Sequence, residues 1–303
     1  MAQDNAQSRR LIIISGMSGA GKSIVLNTLE DHDFYCIDNL PISLFNQLAI
    51  LLAEPGNNFP RLVGIVIDAR DPLKDLTTLP ASIDLLRTKG VRVEVIFMNA
   101  DKDILTTRYS ETRRKHPLST SSVTLSDAID REYELLRLLS EIADLSIDTS
   151  HTTIHELRML VHDQIANKPS EILSIQFLSF GFKKGIPRDA DFIFDVRCLP
   201  NPHWEKHLRP LTGKDPEVVD FLQSKGIVRE MLDQITAFFD KWIPAFEAEN
   251  RSYLCIAIGC TGGHHRSVYF VEKLSEHYNQ LGKHIITRHR ELNYESRTAN
   301  NLS

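Results

Sequence analysis

Gly16-Met17-Ser18-Gly19-Ala20-Gly21-Lys22-Ser23 has the spacing G-x-x-x-x-G-K-S and follows directly on the apolar run Leu11-Ile12-Ile13-Ile14. This is the pattern of a phosphate-binding loop. Glycines let successive backbone N–H groups converge on phosphate oxygens where side chains would obstruct them. Lys22 brings a cation to the β- and γ-phosphates, and the Ser23 hydroxyl is a ligand for Mg²⁺. A helix opening near Lys22 adds the positive end of its dipole. The helical spacing of Ile24, Leu26 and Leu29 after the loop supplies that helix.

A carboxylate is needed opposite the loop to hold the metal. Val63-Gly64-Ile65-Val66-Ile67-Asp68 is an apolar strand that ends in one. Asp68 is expected to hold Mg²⁺ directly or through water, the alternative being a cap or turn before Asp71-Pro72. Lys22, Ser23 and Asp68 are therefore the residues expected to act on a bound nucleotide. Asp38 ends another strand-like run, as a second site residue or a cap. Arg108, Arg113, Arg114 and Lys115 form a basic segment, either a solvated face or a lid closing over phosphates.

A second loop runs Cys260-Thr261-Gly262-Gly263-His264-His265-Arg266-Ser267 between an apolar run and a helical pattern. C-x-x-x-x-x-R in that place is the layout of the cysteine-phosphatase loop, with amides around one phosphate and Arg266 gripping it. Catalysis would need Cys260 as thiolate and an acid for the leaving group, for which His203 is the one candidate. Phosphate binding is the expected role. Further on, Lys283-His284-Ile285-Ile286-Thr287-Arg288-His289-Arg290 alternates apolar and basic residues. As a strand it would present His284, Ile286, Arg288 and Arg290 on one face, a basic surface suited to RNA phosphates.

The elements that must position these residues follow from periodicity. Strand-like runs at Leu11–Ser15, Phe34–Asp38, Leu62–Asp68, Val91–Asn99 and Leu145–Asp148 alternate with helical patterns at Ser23–Asp31, Ser43–Leu52, Asp101–Glu111, Leu125–Ala143 and Thr153–Ala166. Such alternation predicts an α/β domain with a parallel sheet, helices on both faces, and ligands at the carboxyl ends of the strands. Asn167-Lys168-Pro169-Ser170 reads as a linker, giving domains at 1–168 and 169–303. The second, smaller domain is again α/β, with strands at Ile172–Phe177, Phe192–Val196, Tyr253–Ile258 and His284–Thr287. Its long helix packs a face from Val228 to Phe246.

Composition sets outer limits. The 303 residues are 42% apolar and 25% charged, with a net charge of −5. Of that, −6 falls before Ile172 and +1 after it, so a polyanion meets less repulsion at the second domain. No apolar run is long enough to span a membrane, and the polar N-terminus has no signal core. The cysteines Cys36, Cys198, Cys255 and Cys260 lack metal-ligand spacing, as expected of reduced thiols in a cytoplasmic protein.

The phosphate-loop residues, Phe34-Tyr35-Cys36-Ile37-Asp38-Asn39-Leu40-Pro41, Phe180-Gly181-Phe182-Lys183-x-Gly185-Ile186-Pro187, Asp195-Val196-Arg197-x-Leu199-Pro200-Asn201-Pro202-His203-Trp204 and Gly259–Ser267 carry a wider likeness. Together they resemble the RapZ/YvcJ family of P-loop nucleotide-binding proteins over nearly the whole chain. The resemblance implies binding of ATP and GTP, weak NTPase activity, a GTP motif at Asp68-Ala69-Arg70-Asp71, and an oligomer. It implies further that the C-terminal domain binds small regulatory RNA for RNase E and senses glucosamine-6-phosphate. The implied pocket is His203, Thr261, Gly262, His265 and Arg266 with Lys183 and Arg197; Cys260, Gly263 and the basic Lys283 complete the candidate set. The chain departs from enteric members in its tail. After Arg290 only Arg297 is basic, against Glu291 and Glu295, which lowers the expected RNA affinity and its salt dependence. The competing readings are a small-molecule kinase and, behind it, a cysteine phosphatase built on Cys260 and Arg266.

Overall fold

The computed structural model describes residues 9–54, 57–68, 76–112, 114–166, 172–249 and 251–292. The chain divides into two compact units, Met1–Asn167 and Lys168–Ser303. The expected linker lies outside the described residues.

In the first unit, strands β1 (Arg10–Gly16), β2 (Tyr35–Ile37), β3 (Leu62–Val66), β4 (Arg92–Asn99) and β5 (Leu145–Asp148) form one sheet in the order β2-β3-β1-β4-β5. All its pairings are parallel. The intervening helices are α1 (Lys22–Glu30), α2 (Phe45–Ala53), α3 (Leu79–Thr88), α4 (Lys102–Thr112), α5 (Leu125–Glu141) and α6 (Ile154–Val161). β1 is central and buried along its whole length, so its side chains feed two cores in alternation. Leu11 and Ile13 join the core under α2 and α3, while Ile12 and Ile14 join the one under α1 and α6. Helices therefore cover both faces, as periodicity predicts. Helix α3 was not among the expected elements. The last expected helix ends in a π-helical turn over His162–Ala166.

The second unit has strands β6 (Ser174–Gly181), β7 (Phe192–Asp195), β8 (Tyr253–Cys260) and β9 (His284–His289) in the order β7-β8-β6-β9, again all parallel. Helices α7 (Pro216–Gln223), α8 (Gly226–Ala248) and α9 (Arg266–Gln280) complete it. One face carries the larger core, where Ile175, Phe177 and Ile256 meet Ile235, Phe239, Phe270 and Leu274. The other has a small cluster of Leu178, Phe180, Cys255 and Ala257. Each side chain so buried contributes about 1.5–3 kcal/mol.

One charge sits inside the first sheet. Glu94, 1% exposed, receives Arg10 Nε at 3.0 Å and Arg92 Nε at 2.6 Å. Glu94→Leu strands two guanidiniums against the core and is expected to cost about 3–5 kcal/mol. The exposed Lys102–Asp130 pair at 2.6 Å is the control. Asp130→Asn is expected to cost less than about 1 kcal/mol. Urea unfolding of both variants checks the contrast.

Candidate functional site

The first loop joins β1 to α1. Gly16 has φ 130°, and a Cβ there would lie 2.0 Å from the Met98 carbonyl oxygen, so only glycine fits against β4. Met17 N–H donates to that same oxygen at 2.9 Å. Among the described residues, five of the six carbonyls from Gly16 to Gly21 have donors, all but that of Ser18. Lys22 Nζ donates to Gly16 O at 2.5 Å and Ala20 N–H to Met17 O at 3.0 Å. Arg108 Nη1 reaches Gly19 O at 3.0 Å, and Thr149 Oγ1 reaches Ala20 O at 3.0 Å. Gly21 O takes the amides of Ile24 and Val25, at 2.9 and 3.3 Å. Among the described residues the N–H groups of Gly19, Gly21 and Ser23 meet no acceptor. The result is a concave row of donors at a helix N-terminus, which is an anion site.

Asp68 stands beside it. Ile14 pairs with Val66, and Ile67 N–H donates to Ile14 O at 2.9 Å, which puts Asp68 level with Gly16 at the carboxyl ends. Asp68 is 6% exposed, whereas Ser23 faces solvent. A hydroxyl and a carboxylate are hard oxygen donors of the kind Mg²⁺ takes, so the residues fit that ion.

The second loop joins β8 to α9 and is built the same way. Thr261 O accepts from Lys183 N–H at 3.3 Å, His264 O from Gly213 N–H at 2.8 Å, and His265 O from Tyr269 N–H at 2.9 Å. The amides of Gly262, His265 and Arg266 meet no acceptor among the described residues. Gly263 has φ 81°, and a Cβ there would lie 2.4 Å from Glu291 Oε2. At the base, Cys260 Sγ accepts Gly263 N–H at 3.2 Å and lies 3.1 Å from Ser267 Oγ. Arg266 is 4% exposed. Its Nη1 is anchored on Arg197 O and Leu199 O, both at 2.8 Å, and Nη2 touches Thr261 Oγ1 at 3.3 Å. Its buried Nε–H meets no acceptor among the described residues. Nε and Nη2 form the edge of a guanidinium that grips an oxyanion side-on, so the residue presents that edge to the loop.

Residues 9–168 match the RapZ-like N-terminal domain and residues 173–293 the RapZ C-terminal domain. The chain belongs to the RapZ family. A nucleotide-binding protein of Methylococcus capsulatus is 51% identical over 284 residues, covering 93% of this chain and 96% of that one. One of Alkalilimnicola ehrlichii is 51% identical over 289 residues, 95% of this chain and 99% of its own. One of Thioalkalivibrio sulfidiphilus is 46% identical over 284 residues, 93% and 99%. A solved shikimate kinase from Bacteroides thetaiotaomicron aligns with 50% of this chain and 94% of its own at 15% identity, TM-score 0.35. Among the described residues no helix is long and apolar enough to cross a membrane.

Within this RapZ-family chain, the loop residues Gly16–Ser23 and Asp68 come together, while Ala69, Arg70 and Asp71 lie outside the described residues. Thr261, Gly262, Gly263, Cys260, His265 and Arg266 share the second loop. Lys183 borders it through its amide, its side chain exposed. Arg197 stacks 3.9 Å over the Phe182 ring and pairs with Asp195 at 2.7 Å. His203 is exposed, with its ring 6.2 Å from that of His265.

Lys283 is not brought to this loop. It precedes β9 at the amino end of the sheet, with Nζ 2.8 Å from Glu247 Oε1, whereas the loop sits at the carboxyl ends, about 20 Å away along a six-residue strand. Arg290 is not on the expected basic face either. It lies past β9, holding Gly185 O at 2.8 Å and Glu291 at 2.8 Å. Arg108 is a fastener of the phosphate loop rather than part of a lid, with Nη2 on Thr149 O at 2.7 Å. Thr149 itself had no signal in the sequence.

Burial pushes the His265 imidazole below the usual histidine range, and its Nε2–H donates to Leu208 O at 3.0 Å. Above pH about 6.5 both folded and unfolded chains carry it neutral. Below that the unfolded chain takes up the proton first, so His265 makes stability fall as pH falls. His265→Asn is expected to flatten the drop in urea midpoint between about pH 7.5 and 5.5.

Proposed function

We propose that this chain binds a purine nucleoside triphosphate, ATP or GTP, with Mg²⁺ at Gly16–Ser23, and works as a regulator. The observation that carries the reading is that the carbonyls of Gly16, Met17, Gly19, Ala20 and Gly21 each have a donor, which leaves amides of Gly19, Gly21 and Ser23 for the phosphate position. Lys22 neutralises the β/γ-phosphates. Ser23 and Asp68 would hold the metal, which withdraws charge from the phosphates when bound. Family membership favours slow turnover of the bound nucleotide. The curated relatives named as nucleotide-binding proteins support this reading.

For the second unit the proposed ligand is a phosphate monoester seated on Gly262–Arg266, with the Arg266 Nε/Nη2 edge on its oxygens. Family membership favours glucosamine-6-phosphate there, a small regulatory RNA as a partner, RNase E as the receiving enzyme, a homo-oligomer and a cytoplasmic setting. The Cys260–Ser267 contact resembles a phosphatase base. However, a phosphatase also needs an acid for the leaving group, and His203, the one candidate, is exposed with its ring 6.2 Å from that of His265 and is not seated on the loop.

Lys22→Ala is expected to weaken ATP and GTP binding at least tenfold, about 1.4 kcal/mol, in calorimetric titration with Mg²⁺. The same variant should keep its affinity for glucosamine-6-phosphate. Arg266→Ala is expected to show the reverse pattern, losing the sugar phosphate and keeping the nucleotide. Loss of both ligands in both variants would overturn the assignment of separate sites.

A further inference from the structure

Helix α5 turns an apolar stripe inward: Ala128, Ile129, Leu136 and Leu139 are buried. In the middle of that stripe stands Glu132, with no exposed surface. A buried carboxylate needs compensation. Glu132 has it from the phosphate loop itself: Ser18 N–H donates to Oε2 at 2.9 Å and Ser18 Oγ–H to Oε1 at 2.6 Å. His116 completes the set, its Nε2 lying 3.2 Å from Oε2. Leu118 N–H donates to His116 Nδ1 at 3.1 Å, which leaves Nε2 as the ring's donor toward Oε2. Among the described residues Glu132 thus meets three hydrogen-bond donors and no lysine or arginine.

Its place along the loop matters. Lys22 reaches β- and γ-phosphates in loops of this pattern, and here its Nζ sits on Gly16 O. The limb from Gly16 to Ser18 therefore borders the terminal phosphate. We propose that Glu132 is a specificity residue that weights this site against triphosphates and toward diphosphates. The inference rests on nucleotide binding at Gly16–Ser23. A γ-phosphate adds charge at the end of the loop that the Glu132 carboxylate backs, and Glu132 itself has no exposed surface. A diphosphate does not extend so far. His116 modulates the effect because its N–H draws charge density away from the carboxylate. Tyr109, whose ring lies 5.1 Å from that of His116 and tilted 53° to it, packs 3.5 Å from where a Gly19 Cβ would be, so the relay also touches the loop from α4.

The test uses the full chain with Mg²⁺ and compares Kd for ATP and ADP by calorimetry. Glu132→Gln keeps the shape: the amide oxygen accepts Ser18 N–H and the amide nitrogen donates to Ser18 Oγ. It is expected to raise affinity for ATP about tenfold relative to ADP. His116→Leu removes the compensating donor and is expected to move the ratio the other way, by about threefold. A purely structural tie would weaken both nucleotides alike in both variants, and an unchanged ATP/ADP ratio in either well-folded variant overturns the proposal. If the native chain binds neither nucleotide, the reading of the loop falls, and this inference falls with it.

Discussion

Peptide amides repel one another when several are pointed at one place, and the arrangement holds only if their carbonyls are turned away and satisfied elsewhere. Both loops of this chain meet that constraint in the same manner, at the carboxyl end of a buried parallel strand. In the first unit the fasteners are side chains brought from α4 and from the turn after β5: Arg108 and Thr149. In the second they are mostly other amides, from Lys183 and Gly213. The position of α4 and of the turn before α6 is thus tied to a row of oxygens on a loop that is itself nearly all backbone. Remove the fasteners and the loop relaxes toward ordinary turns, with its donors scattered.

This explains which parts of the site were legible. Glycine spacing is a local requirement, so Gly16, Gly21, Lys22 and Cys260–Ser267 announce themselves in the sequence. Fasteners are recruited across the chain, Thr149 from 129 residues away from Ala20, and carry no spacing to read. Arg108 shows the difficulty well, because a basic residue after a helix turn reads equally as lid, solvated face or anchor. Glu132 is hidden for another reason: a single acid on an amphipathic helix is commonplace, and only the buried stripe around it marks it as unusual. Lys283 was misplaced because alternation fixes the face a residue takes on a strand but not the end of the sheet it occupies.

The fold itself was legible where periodicity was long. Five strands of the first unit and four of the second stand within a few residues of the expected runs; the central ones, β1, β6 and β8, are buried along their whole length. Two helices escaped. In α3, Pro80 occupies the first turn, where its missing N–H costs nothing. In α7, Pro216 does the same. Proline inside a short apolar pattern reads as a breaker until its position in the turn is known.

Strand β6 pairs with β8 on one side and β9 on the other, and with nothing earlier in the chain. A ribosome finishing Gly181 must therefore make about 70 more residues before Tyr253 offers a partner. At roughly 5–20 residues per second that interval is roughly 4–14 s. Throughout it, a strand destined to be buried at all eight positions has neither neighbour. Synthesis of this unit thus includes a window in which the strand at the middle of its sheet is made but unpaired.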